Sequence, residues 1–153
     1  MTTTPVTGTE ASESSALMSQ AAPVSKQVEI LSVRLVDAQC KRTDTAPESD
    51  VEVKVGAGGR TAYDDTSQEL RVHVQFELRG RAQGVPDEPF LILATYLLVY
   101  RVKSSTGFTR ENFDAFGRLN GLFNAWPYWR EFVQGMMCRM GLPPITVPVL
   151  HVM

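Results

Sequence analysis

The sequence predicts an α+β fold, in which a four-stranded antiparallel sheet is followed by one short and one long helix. Apolar residues recur at every second position in strand-like stretches through the first two thirds of the chain, and at about every 3.6 positions in the last third. The 153 residues, 43% of them hydrophobic, suffice for the core of a single domain. Because strands come first and helices afterwards, the two kinds of element are segregated along the chain, as in α+β proteins.

The first 26 residues differ in composition from the rest of the chain. They are rich in Ser and Thr and contain few large apolar side chains. Such a segment buries too little apolar surface to offset the entropy of ordering it, so residues 1–26 are predicted to be a disordered tail and residues 27–153 the folded domain. A solvated tail is favoured over a partner-binding arm, and its removal is expected to leave the fold intact.

Four stretches carry strand patterns, over residues 28–40, 51–55, 70–79 and 90–103. The third alternates between apolar and polar residues, which is typical of a strand with one buried and one solvated face. The second is expected to be short, because the glycine-rich residues 56–59 should end it. The fourth is apolar on both faces, so a helix or another subunit must cover its second face.

Two helices are predicted after the sheet. The first begins at Thr109, a weak N-cap, and bends or breaks at residues 120–121, which read Asn-Gly. The second runs to about Met140 and has Pro127 near its start, where a missing N–H costs little. Gly141 is the expected C-cap, and the two prolines that follow prevent further helix.

No arrangement in the sequence predicts a catalytic residue, a metal site or a cofactor. The two histidines, His73 and His151, have no partner at metal-binding spacing. The glycine-rich residues 56–59 are followed by a loop, whereas a phosphate-binding loop requires a helix there. An enzyme or small-ligand binder stays open as the alternative class, and its candidate polar groups are Tyr63, Asp64 and Asp65 with His73.

Charge and cysteine content limit the classes of binding partner and the cellular compartment that are expected. The formal net charge is −2 and the basic residues are scattered among the acids, so no nucleic-acid partner is expected. Two cysteines, Cys40 and Cys138, do not make a disulfide framework, which suits a reducing compartment. The N-terminus does not read as a secretory signal, and the longest apolar run, residues 90–100, is too short to span a bilayer. A cytoplasmic protein without membrane insertion is therefore expected.

Residues 126–131 read Trp-Pro-Tyr-Trp-Arg-Glu, and residues 141–148 contain a Gly, two prolines and an extended run that ends in Pro. These two segments resemble the signature of the SecB export chaperone family. In that family an aromatic-Pro-Tyr-x-Arg-Glu segment opens the long helix, and a Gly, one or two prolines and an extended run ending in Pro follow it. The four strand patterns are compatible with the same family.

The resemblance implies a four-stranded antiparallel sheet with helices on one side, assembled as a dimer of dimers. It also implies an ATP-independent molecular chaperone that binds unfolded or precursor polypeptides in hydrophobic grooves and supports protein export by passing them to the translocase motor SecA.

Two differences from the family pattern indicate that the chain is a divergent member of the family it resembles. The chain ends at Met153, where export SecB continues into a further helix and tail, so the C-terminal helix and tail are expected to be missing. Leu93, Leu97 and Leu98 replace polar residues and glycines of the family's fourth strand. The alternative function is therefore a dedicated SecB-like chaperone for one client, such as an antitoxin, without SecA as a partner.

Apolar residues of the strands and helices are the candidate site. The residues expected to bind client polypeptides are Val53, Val55, Phe108, Phe113, Phe116, Trp126 and Trp129. Those expected at an oligomer interface are Leu93, Leu97, Val99, Met136 and Met140. Two helices cannot easily cover this much apolar surface, so a homotetramer is predicted, with a dimer as the fallback.

Overall fold

A computed structural model describes residues 8–44, 51–84 and 86–148 of the chain. In chain order, its elements are α1 (Gly8–Ser25), β1 (Val28–Arg42), β2 (Val51–Asp64), β3 (Glu69–Ala82), β4 (Phe90–Val102), α2 (Arg110–Phe116), a π-helical turn (Gly117–Gly121) and α3 (Leu122–Arg139). Within these residues the four strands form one antiparallel sheet in the order β1-β4-β3-β2, and helices pack on one of its faces. The predicted α+β fold is confirmed.

The core lies between the sheet and the helices, and the two central strands supply most of it. Every second residue of β3 is buried beneath the helices, as the alternating pattern predicts, and so is every second residue of β4. Trp129 of α3 is fully buried and stacks on Phe76 of β3, with ring centroids 5.1 Å apart. The other large core side chains include Tyr100, Phe116, Leu70, Leu78, Ile92 and Leu98.

The strand predicted at residues 51–55 is much longer in the structure. β2 continues through the glycine-rich residues to Asp64 and pairs with β3 in unbroken register. The expectation that these glycines end the strand is wrong, because the ladder is made by backbone groups and needs no Cβ. At Gly59 a Cβ would even be harmful, since it would lie 2.9 Å from the carbonyl oxygen of His73.

The prediction of a disordered N-terminal tail is wrong for residues 8–25, which form α1. Its composition is poor in apolar residues, but α1 packs closely on α2 and part of its few apolar side chains are buried. Val24 is fully buried and Ala21 is 2% exposed, and the Asn112 side chain donates a hydrogen bond of 3.1 Å to the Gln20 carbonyl. Residues 1–7 of the predicted tail lie outside the described residues.

The predicted cap residues lie at the helix ends, but the prediction that Pro127 stands near the start of the second helix is wrong, because α3 begins at Leu122 and Pro127 lies inside it. Thr109 caps α2 in a capping box, in which its side chain accepts a hydrogen bond from the backbone N–H of Asn112. The predicted bend at residues 120–121 is the end of the π-helical turn that joins α2 to α3. Gly141 has a φ of +65°, the left-handed conformation expected of a glycine that ends a helix.

Two glycines of the π-helical turn bring this part of the chain against the sheet. A Cβ on Gly117 would lie 2.2 Å from Oγ1 of Thr61, and one on Gly121 would lie 2.8 Å from Cγ1 of Val72. Both distances are shorter than real Cβ contacts, so the approach between the turn and strands β2 and β3 requires glycine. This close approach fixes where α3 begins and therefore which of its side chains face β2.

Candidate binding surfaces along the edge strands

The helices cover the central strands but leave both edge strands partly open. Antiparallel partners share a face of the sheet, so the register shows which edge residues look towards the helices. Leu35 of β1 lies opposite Tyr96, and Val55 of β2 lies opposite Leu78. Tyr96 and Leu78 are buried, whereas Leu35 and Val55 are each 45% exposed. Apolar side chains therefore line two open surfaces on the helix-facing side.

The first surface, named the β2 groove, runs between β2 and α3. Its defining residues are Val53, Val55 and Ala57 of β2 and Leu122 and Trp126 of α3. Ala57 and Leu122 line one cavity of about 290 Å³. Trp126 packs edge-on against Phe76 at 5.8 Å between ring centroids, and Phe76 is the register partner of Ala57. The two walls of the groove thus meet over a buried aromatic floor.

The β2 groove continues along its strand beyond the cavity at Leu122, where Gly58 and Gly59 also line it. A second cavity of about 420 Å³ lies between residues 61–63 and the α2 residues Arg110 and Asp114. Both cavities follow the β2 edge strand, so the groove is elongated, as an extended polypeptide requires. A depression of about 240 Å³ beside Gly56 is not part of the groove, because its register partner Glu77 belongs to the opposite face of the sheet.

The helical rim of the β2 groove already holds an extended segment of the protein itself. Residues 142–148 follow α3 without regular secondary structure, and Val147 is only 4% exposed. Nε1 of Trp126 donates a hydrogen bond of 2.8 Å to the Pro148 carbonyl, and Nε of Arg130 donates one of 2.8 Å to the Val147 carbonyl. Both hydrogen bonds go to main-chain oxygens. Contacts of this kind recognise an extended backbone irrespective of its sequence.

The second surface, named the β1 surface, consists of Ile30, Leu31, Leu35 and Val36. Each of these residues is between 43% and 48% exposed. The β1–β4 register shifts between Ile30 and Ser32 and again between Leu35 and Asp37, so Leu31 and Val36 are bulged residues. The two bulges keep neighbouring apolar side chains exposed together on a strand that has no second neighbour within the described sheet.

A third apolar depression lies between α1 and the start of α3. Met18 and Ala22 of α1 form one wall, and Leu119 and Phe123 form the other, around a volume of about 350 Å³. Phe123 is 53% exposed and Met18 is 40% exposed. α1 packs on α2 with Val24 fully buried, while Met18 stays partly open beside this depression.

The seven residues predicted to bind clients lie in different surroundings. Val53 and Val55 are on the helix-facing side of β2, Trp126 is half-buried on α3 against Phe76, and Phe108 lies half-buried beside Phe113. The other three, Phe113, Phe116 and Trp129, are core residues with 7%, 1% and 0% exposure, so their assignment to a binding surface is corrected. Helical spacing alone predicts an apolar stripe, but contacts with Tyr63, Tyr100 and Phe76 bury these three rings.

The five residues predicted at an oligomer interface lie on opposite sides of the sheet. Leu93, Leu97 and Val99 belong to the face of β4 that points away from the helices, since alternate β4 residues are buried beneath them. Met136 and Met140 are half-buried on the helical side, against the core. They therefore do not form one continuous interface, and their role in assembly stays a prediction.

The polar groups of the alternative enzyme site do not all converge: the Tyr63 hydroxyl donates a hydrogen bond of 3.4 Å to Asp65, but His73 lies apart from both. Tyr63 faces the helices and stacks on Phe113 at 4.5 Å between ring centroids, while His73 lies on the opposite face, in register with Arg60 and Leu97. In the described parts of the chain, no group of three or more His, Cys, Asp or Glu side chains is placed to hold a metal ion. His151 lies outside the described residues.

Two further findings concern the helices and the cysteines. Among the residues described, no helix combines the length and apolar character needed to cross a membrane. Cys40 and Cys138 are exposed thiols and are not joined in a disulfide.

Sequence reasoning missed the β1 surface and the glycine-lined length of the β2 groove. A signal for the first is present: the apolar pairs Ile30-Leu31 and Leu35-Val36 interrupt strict alternation, as bulges do. The glycines at 58 and 59 carry no such signal, because in sequence they are equally typical of a loop.

Comparisons with known proteins give a fold and no sequence family. No family model and no curated protein matches the chain. A solved structure of the Mycobacterium tuberculosis Rv1957 SecB-like chaperone, in complex with a ChAD peptide from the Rv1956 HigA1 antitoxin, matches with a TM-score of 0.78 and 20% identity. The match covers 91% of this chain and 99% of that chain, so this chain has the SecB-like chaperone fold that the sequence resemblance implies.

A protein of unknown function from Streptococcus agalactiae is a much weaker match. Its TM-score is 0.40 at 10% identity, over 80% of this chain and 97% of that chain. A similarity this low supports no argument about fold or function.

Proposed function

We propose that the protein is an ATP-independent chaperone without catalytic activity, which binds extended segments of non-native polypeptides in the β2 groove. The observation that carries this proposal is an open, apolar edge strand beside a helix whose side chains already bind an extended backbone. Val55 is 45% exposed on the strand, and Trp126 and Arg130 donate to main-chain oxygens at the rim. Apolar contacts without a fixed pattern of polar contacts suit clients of many sequences.

Edge-strand geometry supports the same proposal. β2 has β3 on one side and no strand on its other side within the described sheet, so its outward backbone groups are open to pairing. An extended client can add to this edge by main-chain hydrogen bonds while its apolar side chains enter the β2 groove. Gly58 and Gly59 line the β2 groove and give the client backbone close access, because they carry no side chains.

The fold supports polypeptide binding as well, since the Mycobacterium tuberculosis protein with this fold was solved with an antitoxin peptide bound. For the present chain, the β2 groove is compatible with two more specific chaperone functions. One is general support of protein export, with SecA as a partner. The other is a dedicated chaperone for a single client such as an antitoxin, which the peptide in that complex favours. We place the protein in the cytoplasm in either case.

Assembly is part of the proposal. The β1 surface exposes four large apolar side chains on one edge strand, each worth about 1.5–3 kcal/mol when fully buried. A two-fold related copy can cover such a patch with the same patch on its partner. We therefore propose a homo-oligomer, a tetramer by the sequence prediction, and light scattering coupled to size exclusion gives the mass directly.

Aggregation of a denatured model protein tests the chaperone function. Without nucleotide, and at one chaperone chain per client chain, the protein should suppress aggregation of the diluted client. A folded protein that leaves aggregation unchanged would refute the proposal. Capture of bound polypeptides from the native cytosol then separates the finer functions: many secreted precursors indicate export, and one dominant small protein indicates a dedicated client.

A further inference from the structure

The face of the sheet that points away from the helices, named the outer face, carries a transverse row of basic residues. Cα register places Arg34 of β1 opposite Leu97 of β4, Leu97 opposite His73 of β3, and His73 opposite Arg60 of β2. Partners in an antiparallel sheet share a face, so all four side chains stand in one row. The neighbouring row adds Arg71, which lies opposite Val99.

Much of the positive charge in these rows has no counter-charge. Within the described residues neither Arg34 nor Arg60 makes an ion pair, and both side chains are exposed. Arg71 contacts Glu69 at 3.4 Å, but 58% of the Arg71 side chain stays exposed. The pKa of His73 is lowered by its partial burial and, further, by the charges of Arg60 and Arg71. Arg60 and Arg71 are diagonal neighbours on β2 and β3, so the two long side chains can reach one bound carboxylate.

Apolar residues run through the middle of this basic row. Leu97 is half-exposed and Val99 is 8% exposed, and both lie on β4 between the arginine of β1 and the basic residues of β3 and β2. Adjacent strands are about 4.8 Å apart, so Arg34 and Arg60 lie roughly 14 Å apart, with the apolar Leu97 beside Arg34 and His73 beside Arg60. This spacing fits an apolar side chain over β4 with a carboxylate on either side.

We propose that the outer face binds an acidic segment of a partner polypeptide, with carboxylates on Arg34 and on the Arg60–Arg71 pair and an apolar side chain over Leu97. The positive charge of the outer face determines which kind of partner can bind there. A second copy of this chain would bring the same basic row towards itself, which costs free energy, whereas an acidic segment neutralises it. This site lies on the opposite face of the sheet from the β2 groove, so it goes beyond the proposed function and does not depend on it.

Two short peptides test the proposal by fluorescence anisotropy. One carries glutamates around a central leucine, and the other has the same sequence with lysines in their place. The acidic peptide should bind and the basic one should not, and about 0.5 M salt should weaken the acidic complex because the charges are exposed. The double variant Arg34→Glu/Arg60→Glu should bind the acidic peptide about ten-fold more weakly.

A matched control keeps the net charge of that variant. Lys26→Glu/Arg139→Glu changes two exposed basic residues outside the four strands and should leave acidic-peptide affinity within about two-fold. Equal binding of both peptides, no binding of either, or an unchanged affinity in Arg34→Glu/Arg60→Glu would overturn the proposal. So would a lower oligomer mass in that variant, because it would assign the outer face to a second copy. Aggregation suppression should be unchanged, which separates this test from that of the β2 groove.

Discussion

The central strands β3 and β4 and the edge strands β1 and β2 use the same kinds of apolar side chain, yet only the central pair is covered. Leu78 on β3 is fully buried, and its register partner Val55 on β2 is 45% exposed. Tyr96 on β4 is 4% exposed, and its partner Leu35 on β1 is 45% exposed. One strand spacing therefore separates side chains that stabilise the fold from side chains that are available to a partner.

The difference follows from the width of the helical layer. α3 and the π-helical turn cover the middle of a four-stranded sheet, and the glycines at 117 and 121 hold them there. Loss of a central side chain should therefore destabilise the fold. Loss of an edge side chain should change binding and leave the fold stable.

The largest loss of stability is expected from substitution of Trp129, at the centre of the core. Trp129→Ala removes a fully buried ring that stacks on Phe76 at 5.1 Å, and it should lower the free energy of unfolding by about 3–5 kcal/mol in urea denaturation. Trp129→Phe is the matched control. The indole N–H of Trp129 has no hydrogen-bond partner among the described residues, so phenylalanine removes an unsatisfied donor and should cost much less. Equal losses in both variants would contradict this account of the core.

Buried tyrosines of β4 should make the fold sensitive to alkali. Burial raises the pKa of Tyr96 and of Tyr100 to about 12, from an ordinary value of 10.0. Because the folded state holds both phenolic protons more tightly than the unfolded state, this stability is present in full below pH 10 and is lost as the pH rises towards 12, by on the order of 2 kcal/mol for each group. Urea denaturation across this range should show a shallower fall in Tyr96→Phe/Tyr100→Phe, and an identical slope would contradict the prediction.

A moderate loss of stability is expected from substitutions where α1 packs on the rest of the domain. Val24→Ala removes two methyl groups from a fully buried site and should lower the free energy of unfolding by about 1.5–2.5 kcal/mol. Met18→Ala on the same helix is the control, because Met18 is 40% exposed and its removal should cost less than about 0.5 kcal/mol. If the two variants unfold at the same urea concentration, α1 does not pack as described.

A loss of stability of similar or smaller size is expected from substitutions in the π-helical turn that positions α3. Gly117→Ala places a Cβ against Thr61 and should cost about 1–3 kcal/mol through overpacking. Gly135→Ala is the control within α3, where the Cβ would meet only the end of the flexible Arg139 side chain and alanine favours the helix. Thermal denaturation should show a lower midpoint for the first variant and an unchanged or higher one for the second. A stabilised Gly117→Ala would contradict the close approach.

Sequence patterns predicted the elements that depend on local chemistry. The alternation of β3, the N-cap at Thr109 and the C-cap at Gly141 each arise from a few neighbouring residues. The patterns failed where distant contacts decide. α1 is ordered by its packing on α2, and β2 passes through glycines because β3 supplies its hydrogen-bond partners.

The candidate site was half predictable for the same reason. Trp126 and Trp129 lie on one apolar stripe in the sequence, three positions apart. The rotation of α3 against Phe76 stacks Trp129 in the core and leaves Trp126 edge-on at the rim. Periodicity assigns both residues to one stripe, but the helix orientation that separates their roles is a tertiary contact.

Binding of an unfolded polypeptide to Val55→Asp tests the central claim, that an edge side chain serves binding and not stability. Val55 is 45% exposed, so the variant should unfold within about 1 kcal/mol of the unchanged protein, the scale of strand propensity, while a charge in the β2 groove should weaken binding of a permanently unfolded probe about ten-fold. Val55→Thr keeps the branched shape and should lose less affinity. The measurement is a titration of the fluorescently labelled probe with each folded protein. Unchanged affinity in Val55→Asp would contradict the account.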